Sequence, residues 1–161
     1  LLDETNEPVK VALSDTKVRF TFEKVVLTSK LIDGSFPDYE RVIPTANDKT
    51  LEINRKAFAD AVDRVSTIST EKSRAVKLML GSGSVTLQAT SPDAGSASEE
   101  IEASYGSGGF EIGFNSRYLL DILQQIEGDT AQFMLADAGS PTVVRDRADA
   151  TALYVLMPMR V

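Results

Sequence analysis

The sequence contains neither cysteine nor histidine. Without cysteine the chain forms no disulfides and performs no thiolate chemistry, which fits a reducing compartment. Histidine is the side chain most used for proton transfer near neutral pH, and it is the commonest metal ligand. Its absence therefore argues against catalysis, although paired carboxylates or a lysine would still leave an enzyme open.

Positive charge and long apolar runs are also scarce. The chain carries 17 basic and 24 acidic residues, a net charge of -7, which argues against tight binding of nucleic acid over the whole surface but leaves room for a local basic patch. No apolar run approaches the roughly 20 residues of a membrane span, and no basic, apolar leader opens the chain. We therefore expect a cytoplasmic protein that makes no membrane contact. Its 42% apolar residues are typical of a folded domain.

The first 43 residues predict β-strands. Apolar residues alternate with polar or small ones over 9–13 and 18–22, and a further β-rich run covers 25–29. A short polar linker follows at 44–49, and there we place a domain boundary. The predicted domains are residues 1–44, which are incomplete, and residues 45–161, which are complete.

Residues 50–105 predict one strand, one helix and three further strands. Asn54 is typical of a helix N-cap, and apolar residues such as Phe58, Val62 and Val65 recur after it at helical spacing. The pattern that follows predicts strands at 77–80, 85–89 and 99–105, a hairpin turn at 81–84 and a flexible loop at 91–98.

The same order of elements then starts again. Phe110 opens a strand, Asn115 or Ser116 caps a second helix, and three strands follow. The two copies lie about 60 residues apart. They predict an α+β fold, in which duplicated strand–helix–three-strand units place both helices on one face of an antiparallel sheet.

Residues 1–43 look like the later part of the same unit. Leu1 and Leu2 match the end of a helix, so we expect a first strand and most of a helix upstream, in a longer protein. The alternative is a coincidental β-rich leader.

The sequence offers no catalytic constellation. It has no Ser–His or Cys–His pair and no HExxH motif, and the glycine-rich stretch 106–109 lacks the Lys-Ser/Thr of a phosphate-binding loop. Glu99, Glu100 and Glu102 are close in sequence, but adjacent strand residues point to opposite faces, which favours solvated charge over a cation site. We expect no catalytic residue, no metal and no cofactor.

A few cations on the predicted helices form a weak basic patch. They are mixed with acidic residues, so they suit loose contact with phosphates without reading bases. The cations are Arg55, Lys56, Arg64 and Arg117.

Two segments combine apolar or aromatic residues with a proline and an arginine, namely 36–42 (FPDYERV) and 154–161 (YVLMPMRV). Pro158 cannot donate a ladder hydrogen bond, and the thioethers of Met157 and Met159 form an adaptable apolar surface. Aromatic and arginine side chains suit the rim of a pocket. The alternatives are a strand that fills the core and a connection buried by its own aromatics.

Residues 28–44 (TSKLIDGSFPDYERVIP) together with 154–161 closely resemble the bacterial DNA sliding clamps, the beta subunits of DNA polymerase III. The resemblance covers the whole chain, as the later part of the middle domain and the complete C-terminal domain. It implies a non-enzymatic processivity factor that forms a head-to-tail homodimer ring around duplex DNA, with helices lining the hole. The partners implied are the polymerase III alpha subunit, the clamp loader and other proteins that carry a clamp-binding motif.

The resemblance also implies a pocket between the middle and C-terminal domains, which receives a glutamine followed by apolar residues. The positions that match this pocket are Pro37, Arg41, Val42, Asn115, Tyr118, Gly139, Pro141, Val155, Met157, Pro158, Met159, Arg160 and Val161. Thr67 and Ile68 match the joint between ring subunits, although the spacing of Ile68 equally suits the core.

Two other classes of function remain as alternatives. One is a free-standing peptide-binding module that uses the same fold. The other is an enzyme that works with carboxylates, which the missing histidine and cysteine disfavour.

Overall fold

The computed structural model describes residues 8–69 and 74–161, so the predicted helix end at Leu1 and Leu2 lies outside the described residues. The chain divides into two compact units, residues 1–38 and 39–161. The first unit contains an antiparallel sheet in the order β1-β2-β3. Its strands are β1 (Lys10–Leu13), β2 (Lys17–Phe22) and β3 (Val25–Lys30).

The second unit begins with a short 3-10 helix, Tyr39–Val42. The division after residue 38 precedes the boundary predicted at residues 44 and 45. The linker also belongs to the second unit by its hydrogen bonds, because Asn47 Nδ2 donates to the carbonyl oxygens of Met134 (2.8 Å) and Pro141 (3.0 Å).

The rest of the second unit repeats one series of elements. The first copy is β4 (Lys49–Asn54), α1 (Arg55–Ser66), β5 (Ala75–Gly81), β6 (Ser84–Ser91) and β7 (Gly95–Tyr105). The second copy is β8 (Phe110–Asn115), α2 (Ser116–Gln125), β9 (Thr130–Leu135), β10 (Thr142–Asp146) and β11 (Tyr154–Leu156). The prediction of duplicated strand–helix–three-strand units in an α+β fold is confirmed.

The eight strands of the second unit form one antiparallel sheet in the order β11-β10-β9-β4-β7-β6-β5-β8. The two copies join where β4 pairs with β9 and where β5 pairs with β8. An isolated bridge between Gly113 on β8 and Met159, just after β11, brings the two ends of this order together. The sheet therefore nearly closes on itself.

The core lies between the two helices and the sheet. Helix α1 buries Phe58, Ala61, Val62 and Val65, while α2 buries Ser116, Leu119 and Leu123. The ring of Phe58 meets that of Phe133 on β9 edge to face, with centroids 5.5 Å apart, so the core of one copy continues into the other. Among the described residues, no helix has the length and apolar character needed to cross a bilayer.

Both helices begin at an asparagine cap. Asn54 Oδ1 accepts from the Ala57 backbone N–H (2.9 Å), and Asn115 Oδ1 accepts from that of Arg117 (3.0 Å).

The loop predicted at 91–98 is wrong in extent. Strand β6 continues to Ser91 and β7 starts at Gly95, and the two strands pair at Ala89 and Ala97. Gly95 has φ +91°, a conformation that glycine adopts without strain, so it closes a tight turn. The small residues that suggested a flexible loop extend the hairpin instead.

Candidate functional site

An apolar groove of about 550 Å³ lies between α2 and the chain around β11. Tyr118, Asp121 and Ile122 line it from the helix, and the stretch from Leu153 to Met157 lines it from the other side. Half-buried Ile122 and Tyr154 pack against the core cluster, so they form a fixed floor.

Three large apolar side chains of the groove are open to solvent. Tyr118 is 57% exposed, Leu153 46% and Met157 60%. Single exposed apolar residues are ordinary, but several around one concave surface are typical of a binding site. The arrangement suits an extended peptide with apolar side chains.

The local sequence explains the geometry of the groove. The cap at Asn115 sets the start of α2, and the helical period then turns Leu119 and Leu123 into the core while Tyr118 and Ile122 share another face. On the other side β11 lasts only three residues before Pro158, which cannot donate a ladder bond.

A larger cleft of about 780 Å³ has a different chemical character. Its lining includes Glu52, Asn54, Glu102, Thr130 and Arg147. Glu52 Oε1 accepts from Gln132 Nε2 (3.0 Å) and lies 3.1 Å from Arg147 Nε. Glu52 and Arg147 offset each other's charge, and the lining of this cleft mixes polar and apolar groups. The groove has the more apolar lining, and we favour it as the candidate site.

Three residues of the predicted pocket line the groove, namely Tyr118, Val155 and Met157. Asn115 lies one turn before Tyr118 and is engaged as the cap of α2. The segment that follows the groove contains half-buried Pro158 and Met159 and exposed Arg160 and Val161.

Gly139 and Pro141, two further residues of the predicted pocket, do not line the groove. Gly139 belongs to a turn in which its N–H donates to Asp137 Oδ1 (2.8 Å), and Pro141 accepts from Asn47 through its carbonyl. The backbone N–H of Gly139, followed by the hydroxyl and N–H of Ser140, holds the pKa of Asp137 below its ordinary value.

Arg41 and Val42 are exposed on the 3-10 helix of the second unit, while Pro37 is an exposed residue of the first unit.

Sequence reasoning missed five lining residues of the groove: Asp121, Ile122, Leu153, Tyr154 and Leu156. Helical spacing from Tyr118 was the available signal for Asp121 and Ile122, because positions three and four residues on share its face. Nothing local marks Leu153, which approaches α2 only through the fold.

The four cations that were predicted to contact phosphates differ in how far other residues of the chain already engage them. Arg55 is half-buried and donates from Nε to the Gly128 carbonyl (3.0 Å), whereas Lys56 pairs with Asp60 (2.7 Å). Arg64 is held by Glu99 on β7, and that hydrogen bond raises the pKa of Arg64. Arg117 is exposed near the start of α2.

The two residues matched to a ring joint lie just after α1. The Thr67 hydroxyl donates to the carbonyl of Asp63 (3.1 Å), and Ile68 packs half-buried against the core cluster. Among residues 8–69 and 74–161, no group of three acidic side chains is arranged to hold a metal ion.

Comparison with solved structures gives the class of protein. The fold is that of the DNA sliding clamps. A DnaN sliding clamp from Bartonella birtlesii, solved bound to griselimycin, matches at 55% identity and TM-score 0.89 over 95% of this chain and 41% of its own. The polymerase III subunit beta from Pseudomonas aeruginosa matches at 39% identity and TM-score 0.91, over all of this chain and 44% of its own.

Sequence comparison gives the family. The model for the C-terminal domain of the DNA polymerase III beta subunit matches residues 40–160, and that for the central domain matches residues 1–38. The chain belongs to the DNA polymerase III beta subunit family, which confirms the resemblance seen in its sequence. The beta sliding clamp of Caulobacter vibrioides is 53% identical over 161 residues. The chain spans 43% of the length of that relative.

Proposed function

We propose that this chain is part of a sliding clamp, a non-enzymatic processivity factor that tethers the replicative polymerase to duplex DNA in the cytoplasm. The partners are the polymerase III alpha subunit, the clamp loader and other proteins with a clamp-binding motif. The family membership supports this function, and the apolar groove is the observation that carries it, because it offers this chain a place to hold a partner's peptide.

The occupant of the groove is a peptide with a glutamine followed by apolar residues. The apolar side chains of the peptide lie on Ile122 and Tyr154 of the groove and are covered by Tyr118, Leu153 and Met157. Polar groups orient the peptide backbone, and Asn115 and Arg160 are the candidates beside the groove.

The ring accounts for weak contact with DNA. In the proposed full-length homodimer, a closed ring holds the duplex by topology, so a net charge of -7 is no obstacle. A few helix cations are sufficient to contact phosphates, and Thr67 and Ile68 lie at the proposed joint between subunits.

Fluorescence anisotropy tests the peptide site. A labelled peptide with a glutamine followed by apolar residues is titrated with this chain, with its Met157→Ala variant and with Met79→Ala. Met79 is a half-buried methionine on β5 and does not line the groove, so it is the matched control. Saturable binding that weakens only in Met157→Ala supports the proposal. Absence of binding, or equal losses in the two variants, contradicts it.

A further inference from the structure

Gly113 occupies a position on β8 where a side chain has no room. A Cβ built on it lies 2.7 Å from the carbonyl oxygen of Met159 and also meets Cγ1 of Val161. Glycine inside a strand is typical of a place where another backbone approaches closely. The segment that approaches here is the one that continues from the groove.

Because the unit is duplicated, Gly113 in the second copy can be compared with the equivalent residue of the first copy. When the caps Asn54 and Asn115 are aligned, Gly113 corresponds to Glu52 on β4. Glu52 carries a side chain that accepts from Gln132 Nε2. The second copy has glycine at this place, and residues 159–161 cover it.

A backbone hydrogen bond fixes the same contact. The N–H of Met159 donates to the carbonyl of Gly113 at 2.8 Å, in an isolated antiparallel bridge. Pro158, just before it, has no N–H to donate. The bridge therefore holds the chain only two residues beyond Met157, which lines the groove.

We propose that Gly113 is a positioning residue for the groove, because it lets the Met157–Val161 segment dock on β8 and so fixes Met157 as a wall of the site. This inference rests on the proposed function of the groove in peptide binding. Gly113 does not line the groove itself and acts only through the docked segment.

Replacing Gly113 by alanine forces the segment away. The nearest atom is Cγ1 of Val161, in a terminal side chain that can turn away, but the next is the backbone carbonyl oxygen of Met159 at 2.7 Å. That second conflict is relieved only by moving the Met159 backbone. That movement breaks the bridge and leaves Met157 unfixed. A peptide must then order the wall as it binds, and this entropic cost weakens binding.

Gly81 provides a matched control. It is a half-buried glycine in β5, and a Cβ there meets only the Ser84 carbonyl oxygen, at an ordinary 3.8 Å. Gly81→Ala therefore adds the same methyl group to a strand of the same sheet without touching the docked segment.

The first measurement needs no peptide. Amide hydrogen exchange reports whether the Met159 N–H is protected, and methyl NMR of the four methionines reports the surroundings of Met157. In Gly113→Ala we expect loss of the Met159 protection and a shifted, narrowed Met157 methyl resonance. In Gly81→Ala both remain as in the wild type. Retained protection of Met159 in Gly113→Ala overturns the proposal, whether or not the groove binds peptide.

The second measurement is peptide affinity by anisotropy. The cost of ordering the freed wall on binding predicts a Kd higher by roughly two- to tenfold in Gly113→Ala, and an unchanged Kd in Gly81→Ala. Weakened binding with Met159 still protected overturns the inference, since the loss would not pass through the docked segment. A wild-type chain that binds no peptide contradicts the proposed function, while the exchange measurement still decides the role of Gly113.

A second pair of variants covers the case in which Gly113→Ala fails to fold. Met159→Pro removes the N–H that bonds to Gly113 and leaves β8 unaltered, whereas Met159→Ala removes the same side chain and keeps the N–H. We expect the proline variant to bind peptide more weakly than the alanine variant and to give the mobile Met157 methyl resonance. Equal affinities and equal Met157 resonances in the pair contradict the proposal.

Discussion

Arg64 on α1 and Glu99 on β7 form a two-point ion pair, with Nε 3.0 Å from Oε2 and Nη2 2.5 Å from Oε1. The hydrogen bond from Arg64 also holds the pKa of Glu99 below its ordinary value. A guanidinium engaged in this way has fewer donors to offer a phosphate. The pair therefore limits one of the four cations proposed to contact DNA.

Glu99→Gln should release Arg64 and strengthen binding to duplex DNA. One additional phosphate contact makes the dependence of log K on log salt steeper by about 0.9. The measurement is DNA binding over a salt series. Glu100→Gln is the matched control, because it removes the same charge from the next residue of β7, which is exposed. Equal salt slopes in the two variants would show that Arg64 makes no phosphate contact.

Tyr118→Ala should weaken peptide binding, because the ring is the largest exposed apolar surface that α2 brings to the groove. Aromatic anchors of an interface contribute about 2 kcal/mol, so we expect Kd to rise roughly thirtyfold. Tyr118→Phe keeps the ring and should bind within about twofold of the wild type if the apolar surface carries the effect. A loss in the phenylalanine variant as large as in the alanine variant would assign the effect to the hydroxyl.

Asn115 has a role in stability that is separable from its proposed role in binding. Asn115→Ser retains a side-chain oxygen for the Arg117 N–H and should preserve stability, whereas Asn115→Ala should cost about 1 kcal/mol as a lost cap. If Asn115 also orients a peptide, both variants lose affinity. Urea unfolding and anisotropy measured on the same samples separate the roles. In the matched pair at Asn54, Asn54→Ala should lose stability but not peptide affinity, and Asn54→Ser should keep both.

Local signals explain why so much of the fold was predictable from the sequence. The asparagine caps, the helical spacing of residues such as Leu119 and Leu123, and the recurrence of the whole series each lie within a short stretch of chain. The hairpin between β6 and β7 was less readable, because small residues suit a loop as well as a ladder.

The site was harder to predict because its geometry is set between distant segments. Leu153 faces α2, and residues 159–161 cover Gly113, only after the sheet has formed. A glycine inside a strand indicates a bulge, a bend or a close backbone approach, but nothing near Gly113 in the sequence identifies Met159 as the residue that approaches it. The same holds for Glu99, whose partner Arg64 lies on another element.

Asp146 should make stability depend on acid pH. The backbone N–H of Ala148 and then that of Gly128 donate to its carboxylate at 2.8 and 2.7 Å, and they hold its pKa below the ordinary 3.8. A carboxyl whose pKa is lower in the folded chain stabilises the fold at pH values above its ordinary pKa. This contribution to the free energy of unfolding is lost as pH falls through the pKa of the folded state. The free energy of unfolding of Asp146→Asn should therefore be lower than that of the wild type near neutral pH.

The difference in the free energy of unfolding between Asp146→Asn and the wild type should disappear when pH falls below the ordinary carboxyl pKa. Urea unfolding at a series of pH values, followed by circular dichroism, measures it. Asp93→Asn on an exposed turn is the matched control for the loss of one charge. A gap that is constant down to the most acid samples would assign the effect to lost packing.

Phe58 and Phe133 should couple the two copies energetically. Both rings are fully buried, and they meet edge to face across the junction of α1 with β9. Replacing either by alanine leaves a cavity and should cost about 3–5 kcal/mol. Replacing either by leucine keeps most of the volume but removes the ring contact, so a double-mutant cycle with leucine should give a coupling of about 0.5–1.5 kcal/mol.

A cycle between Phe58 and Leu80, a buried residue of β5 in the same copy as Phe58, lacks the ring pair and should give a smaller coupling. Equal couplings in the two cycles would show that the aromatic contact adds nothing to the junction beyond ordinary apolar burial.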